Sequence, residues 1–175
     1  MRGMRIAVVA ALVAASVAIG AGVQAHQGED VTPSKAGPII RNTTTMSEMR
    51  DWFGNPTARK VVRVGCIRAL RARWGDDLKV YAPRGEDGRV VGAIFVRSRS
   101  ITSQEHGELN WHTKKGLRVG DRNRKVRRLY PNAEPIKHAG HIHYRLREGK
   151  DNGYMMAKVV DRRVVQLEVW PFEFC

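Results

Sequence analysis

Strict alternation of apolar and polar positions governs much of the chain after its first quarter. In residues 140–147, Ile142, Tyr144 and Leu146 fall on one side and His141, His143, Arg145 and Arg147 on the other, the period-2 signature of a half-buried strand. Residues 78–82 and 154–160 read the same way, and 163–170 closes a hairpin whose turn is Asp161-Arg162. Glu86-Asp87-Gly88 carries the Asp-Gly hairpin signal, which makes 89–97 the partner strand of 78–82. Residues 61–66 are rich in β-branched side chains. Residues 67–74 fit a strand or a helical stripe, and the turn at Gly75-Asp76-Asp77 favours the strand.

Two short stretches have helical spacing instead. Thr45 followed by Glu48 is a capping box, and Met46, Met49 and Phe53, with Trp52 beside them, form an apolar face that Gly54 and Pro56 end after barely two turns. In the second, residues 116–132, Asp121 is the expected N-cap and Val126, Leu129 and Tyr130 the buried stripe. Pro131 and Asn132 stop it. Met49, Trp52 and Phe53 occupy the places of Val126, Leu129 and Tyr130, each 77 residues earlier, and Asn55 matches Asn132 at the same offset. Residues 87–91 (Asp-Gly-Arg-Val-Val) match 161–165 (Asp-Arg-Arg-Val-Val) at an offset of 74. Agreement in order and spacing suggests one small unit used twice. The expected fold class is therefore α+β, with two tandem modules sharing an antiparallel sheet, each a short helix followed by antiparallel strands. Residues 44–97 form the first module, 98–113 a polar connector, and 114–175 the second.

A tandem of units of this kind resembles the β-lactamase-inhibitor-protein-like architecture. The Gly116-Leu-Arg-Val-Gly-Asp121 start, with Val126-Arg-Arg-Leu-Tyr-Pro131, also resembles a group of exported bacterial proteins with helix–sheet modules. The first half departs from that pattern, since residues 42–45 hold no glycine ahead of the helix. The resemblance implies an extracytoplasmic binding module that uses a concave sheet against a protein. No inhibitor contact motif is visible, so no contact residue carries over.

The N-terminus fits export on its own terms. Arg2 and Arg5 precede an uncharged apolar run that ends in Val23-Gln24-Ala25, which reads as a signal peptide over residues 1–25. An uncleaved membrane anchor is the competing reading, because the run is nearly long enough to span a bilayer. Residues 26–43 mix Gly, Pro, Ser and Lys without a period and read as a flexible leader. Cleavage after Ala25 would leave His26 as an N-terminal copper chelator, with no ordered scaffold around it. Cys66 and Cys175 are the only cysteines, and in an oxidising compartment their pairing is the default, closing a loop worth about 4–5 kcal/mol on the chain-entropy model. A free thiol or an intermolecular bridge remain the alternatives.

Charge narrows the partner. The chain carries 31 basic and 17 acidic residues, a formal net charge of +14 that attracts anions. Around the second helix, Arg122, Arg124, Lys125 and Arg128 form a cationic face, and Arg145 and Arg147 extend one side of a strand. These are the candidate anion or partner contacts. Aromatic residues for base stacking are not interleaved with them, which argues for a protein or plain anionic polymer over nucleic acid. His138, His141 and His143 are an alternative zinc or copper site, opposed by the neighbouring arginines. Glu105, His106, Glu108 and His112 carry acid–base groups. They lack a partnered nucleophile, a His-Glu-x-x-His spacing or a phosphate-binding glycine loop, so a small secreted hydrolase has little to stand on. The expectation is a secreted, non-enzymatic binding module with no cofactor, meeting the membrane only through its signal peptide.

Overall fold

Alternation is where the fold starts. In a computed structural model, which describes residues 30–83, 93–148 and 153–171, every strongly alternating stretch is a strand of one large antiparallel sheet. In chain order the elements are β1 (Asp30–Val31), β2 (Lys35–Ala36), β3 (Ile39–Ile40), α1 (Met46–Phe53), β4 (Ala58–Val64), β5 (Ile67–Trp74), β6 (Leu78–Pro83) and β7 (Ala93–Val96). They continue as β8 (Ser100–Ser103), β9 (Gly107–Asn110), β10 (His112–Thr113), α2 (Asn123–Leu129), β11 (Glu134–His138), β12 (His141–Leu146), β13 (Gly153–Val160) and β14 (Arg163–Pro171). The large sheet has eight strands in the order β11-β12-β13-β14-β7-β6-β5-β4. Its centre is the β14–β7 pair, with Leu167 opposite Val96 and Val169 opposite Ile94. The stretch 67–74 is a strand, as its turn indicated.

One face of this sheet builds the core. Cross-strand neighbours Leu78 and Val96, Val80 and Ile94, Met155 and Val169, and Ala157 and Leu167 are all buried on it. At roughly 25 cal/mol per Å² of apolar surface, such rows dominate the stabilisation of the sheet. What covers them is mixed. Met49 of α1 and Val126 of α2 are fully buried there. So are Val31, Ala36 and Ile39 from β1–β3, and Leu109, Trp111 and Leu117 from the segment between the helices, all in one continuous cluster. The short strands β1–β3 join β10 in a second, four-stranded sheet, in which β1 and β10 run parallel. It crosses so close to β13 that a Cβ on Gly153 would stand 2.6 Å from the Pro33 carbonyl oxygen. Only glycine fits at that crossing.

This architecture overturns the α+β expectation of two tandem helix–sheet modules. Strands take 55% of the described residues and helices 12%. The helices, of eight and seven residues, are too short to form a layer. They share the covering of a single core with strands that alternation cannot detect. Residues 30–40, expected to lie in a flexible leader, supply three of those strands, and residues 100–113, expected to be a connector, supply three more. A two-residue strand buries one side chain, which leaves no period to read.

The two helices are held differently. Thr45 caps α1 by accepting the Glu48 N–H at 3.2 Å, while the Glu48 carboxylate accepts the Thr45 N–H at 2.7 Å. Those hydrogen bonds hold the Glu48 carboxyl below its ordinary pKa. Trp74 Nε1 then donates to the Gly54 carbonyl at 2.8 Å and ties the end of α1 to β5. The N-cap of α2 is Arg122, not Asp121, and no side chain caps it. Backbone contacts with the β13–β14 turn hold α2 instead: Asn123 N–H donates to Arg162 O at 2.8 Å, and Arg122 pairs with Arg163 in an isolated bridge. At its other end, the buried Tyr130 hydroxyl donates to the Glu148 carboxylate and accepts from the Thr113 hydroxyl at 2.6 Å. Burial and the Glu148 carboxylate raise the Tyr130 pKa far above the ordinary phenol value.

The expected signal peptide, the 86–88 turn and Cys175 lie outside the described residues. Cys66, in the β4–β5 turn, is disulfide-bonded.

Candidate anion-binding groove

The backbone contacts that replace a side-chain cap on α2 bring two arginine-rich segments together. An open cleft of about 620 Å³ lies between the start of α2 and the β13–β14 turn. Its walls carry Arg122, Arg124, Arg127, Arg162 and Arg163, with Asp161 as the one acid. A second cleft of about 530 Å³ shares Arg122 and Arg124 and adds Lys125, Arg128 and Asp121. Among the described residues none of the six arginines pairs with a carboxylate. Arg163 donates to the Gly120 carbonyl at 3.0 Å, and Arg127 reaches the Tyr144 hydroxyl at 3.4 Å; both contacts position a guanidinium without neutralising it.

Asp121 contributes order rather than an N-cap. Its carboxylate accepts the Arg118 N–H at 2.8 Å and binds Lys125 Nζ at 2.8 Å. Partial burial alone would raise its pKa, but the Lys125 and Arg118 hydrogen bonds and the charges of Lys125 and Arg99 outweigh that and hold it below the ordinary carboxylate value. Lys125 is thereby partly neutralised, unlike Arg124 and Arg128 beside it. Asn123 Oδ1 is buried in the wall without a hydrogen-bond partner.

The candidate contacts therefore divide. Arg122, Arg124, Lys125 and Arg128 share one groove. Arg145 lies on β12 and Arg147 just past its end; both meet Glu134, and they do not line the groove. The arginines that complete the groove are Arg127, Arg162 and Arg163. The only sequence signal for the last two is a hairpin turn of Asp-Arg-Arg where Asn-Gly is the usual choice.

His138, His141 and His143 sit on paired strands β11 and β12, with His138 opposite His141 and the His138 and His143 rings edge to face at 5.9 Å. Among the described residues no three His, Cys, Asp or Glu side chains are set to hold a metal ion. His143 is buried and faces Glu168 instead, Nδ1 to Oε1 3.4 Å. Of the acid–base residues of 105–112, His106 stacks edge-on against Trp52 at 5.1 Å, and His112 Nδ1 lies 3.5 Å from Asp30.

The outer face of the large sheet holds a polar cluster that alternation did not single out. Glu168 is only 1% exposed, and its carboxylate accepts Gln166 Nε2 and Trp170 Nε1, each at 2.7 Å. Lys79 Nζ sits 4.2 Å over the Phe95 ring. Burial first, then Arg97, lowers the Lys79 pKa to about 8, with Glu168 opposing the shift.

No family model matches the chain, and neither a curated protein nor a solved structure matches it.

Proposed function

We propose that this protein is an extracytoplasmic, non-enzymatic binding module for anionic macromolecules, and that the groove along α2 is its binding face. The observation that carries this reading is the set of guanidiniums in the groove that no carboxylate among the described residues answers. Like charges gathered without counter-charges repel one another, so their arrangement gains nothing for folding. Planar guanidiniums form bidentate bonds to oxyanions and suit such a role better than lysine would. The positive start and uncharged apolar run through Ala25 support export, and an exported cation of this strength meets wall and envelope polymers first.

The test is equilibrium binding of fluorescent heparin, as a generic polyanion, across a salt series. The chain without residues 1–25 should bind at low salt and release as salt rises. In an Arg124→Glu, Arg128→Glu, Arg162→Glu variant the affinity should fall by about tenfold or more, and the slope of log K against log salt should shrink by about 3. Circular dichroism would establish that the variant is folded. Unchanged affinity in the folded variant would remove the groove as the binding face.

A further inference from the structure

We infer that the ligand of this groove is a linear, phosphate-rich polyanion laid along α2, rather than a single anion or an acidic patch on a protein. The inference rests on the anion-binding reading above and names its ligand class.

Three features of the groove lead there. First, the two clefts adjoin, since Arg122 and Arg124 line both. Together their walls take in the β13–β14 turn and α2 residues from Asn123 to Arg128. Second, the number of guanidiniums exceeds what one small anion can engage. A single tetrahedral oxyanion is satisfied by two or three guanidinium forks. Six unpaired guanidiniums beside a helix about 10 Å long require an anionic group every few ångströms. Acidic side chains spread over a folded protein surface do not supply that density. Third, among the described residues the lining contains no aromatic ring and no aliphatic side chain. A protein partner would be expected to anchor an aromatic or apolar hot spot, and a nucleobase would need a stacking platform. Recognition here is by charge alone, which fits a chain whose charged groups form its whole surface.

The β13–β14 turn adds an independent observation. Asp161 has φ 47° and Arg162 φ 62°, both in the left-handed region. Two-residue turns of this kind favour Asn-Gly, because glycine adopts that conformation without steric cost. Here the strained position is occupied by an arginine that lines the cleft. The Asn123 N–H bond to Arg162 O fixes the turn against α2. A residue that lowers stability where it stands and projects a cation into a cationic groove is accounted for by a ligand.

Isothermal titration would compare three probes at about 0.15 M salt: long-chain inorganic polyphosphate, polyglutamate of matched charge, and inorganic phosphate. Polyphosphate should bind at least about tenfold more tightly than polyglutamate, with inorganic phosphate failing to saturate at millimolar concentration. The Arg162→Gly variant should lose about threefold to tenfold in polyphosphate affinity. Its Tm should rise by about 2–4 °C as the turn relaxes. Equal affinity for polyglutamate would overturn the phosphate assignment while leaving the anion-binding function standing. Tight binding of inorganic phosphate would overturn the linear ligand. A fall in both Tm and affinity in Arg162→Gly would show that the turn arginine is structural. Failure of all three probes, together with no heparin binding, would sink both readings.

Discussion

Cations gather in two regions of this molecule and are treated in opposite ways. On the outer face of the eight-stranded sheet several have an answer within the fold. Arg145 and Arg147 meet Glu134, Arg73 and Arg97 meet Asp76, and Lys79 rests on Phe95. In the groove along α2, six arginines meet no carboxylate among the described residues. Both regions contribute to a net charge of +14, so charge alone could not tell them apart. Pairing does. Charge that is neutralised within the fold belongs to its stability, and charge left unneutralised is available to a partner. The distinction makes different predictions for the same kind of substitution in the two places.

The largest effect should come from the outer face. Replacing Glu168 with Ala removes a fully buried carboxylate and leaves the Gln166 and Trp170 donors without their acceptor. The loss should be about 2–4 kcal/mol in urea unfolding, since stranded buried donors and a lost charge-assisted network cost more than a surface pair. Glu168→Gln, which keeps an acceptor, should cost less. Heparin affinity should not change in either variant. A loss below about 1 kcal/mol for Glu168→Ala would mean that the outer face is no more committed to folding than the groove.

How much of this was readable in the sequence depends on whether a signal is local. Strands β6 and β12–β14 were legible because their apolar and polar positions alternate, β5 because a turn follows it, and α1 because Thr45 and Glu48 form a local capping box. Strands β1–β3 and β8–β10 were not, since two to four residues contribute one or two buried side chains each. Their partners lie far away in sequence, as when Asp30 pairs with His112. That hidden cover is also why the α+β expectation failed: it gave the helices a layer that β1–β3, Leu109 and Trp111 help to supply. The groove was half legible. The run of basic residues on α2 stands out in the sequence, but Arg162 and Arg163 reach it only through backbone bonds between Asn123 and Arg162 and between Gly120 and Val164. Arg145 and Arg147, expected as contacts alongside the α2 cations, stand apart from the groove and meet Glu134 on the neighbouring strand.

A smaller effect separates neutralised from merely tolerated charge on the outer face. Lys79 has a folded pKa of about 8, below the ordinary 10.5. Below pH 8 both states are protonated and the burial penalty is fully present. Between about pH 8 and 10.5 the unfolded chain holds more protons, so stability rises with pH. Tyr81 and Tyr154, whose pKa values are raised mainly by burial, work the other way above about pH 10, where the unfolded chain deprotonates first. The Lys79 contribution is therefore visible as a rising limb from pH 8 to 10. Lys79→Met should flatten that limb and raise stability at pH 7 by up to about 1 kcal/mol, allowing for screening of a partly exposed amine and the lost cation–π contact. A rising limb that persists in Lys79→Met would assign it to another group.

The smallest effect is the one that decides the comparison most directly, because its sign should differ between the regions. Arg147→Gln breaks an exposed ion pair with Glu134, whose loss should cost about 0.2–1 kcal/mol. Arg124→Gln breaks no pair and removes one charge from a cluster of like charges. Its stability should be unchanged or raised by up to about 0.5 kcal/mol, and the gain should shrink as salt screens the repulsion. Binding should order the two variants the other way. Arg124→Gln should lower the salt slope of heparin binding by about 1, and Arg147→Gln should leave it as it is. If Arg147→Gln instead weakens binding as much as Arg124→Gln does, the sheet face and the groove act as one cationic surface. The division between charge used for folding and charge left for a partner would then fail, even though every ion pair on β12 stands as described.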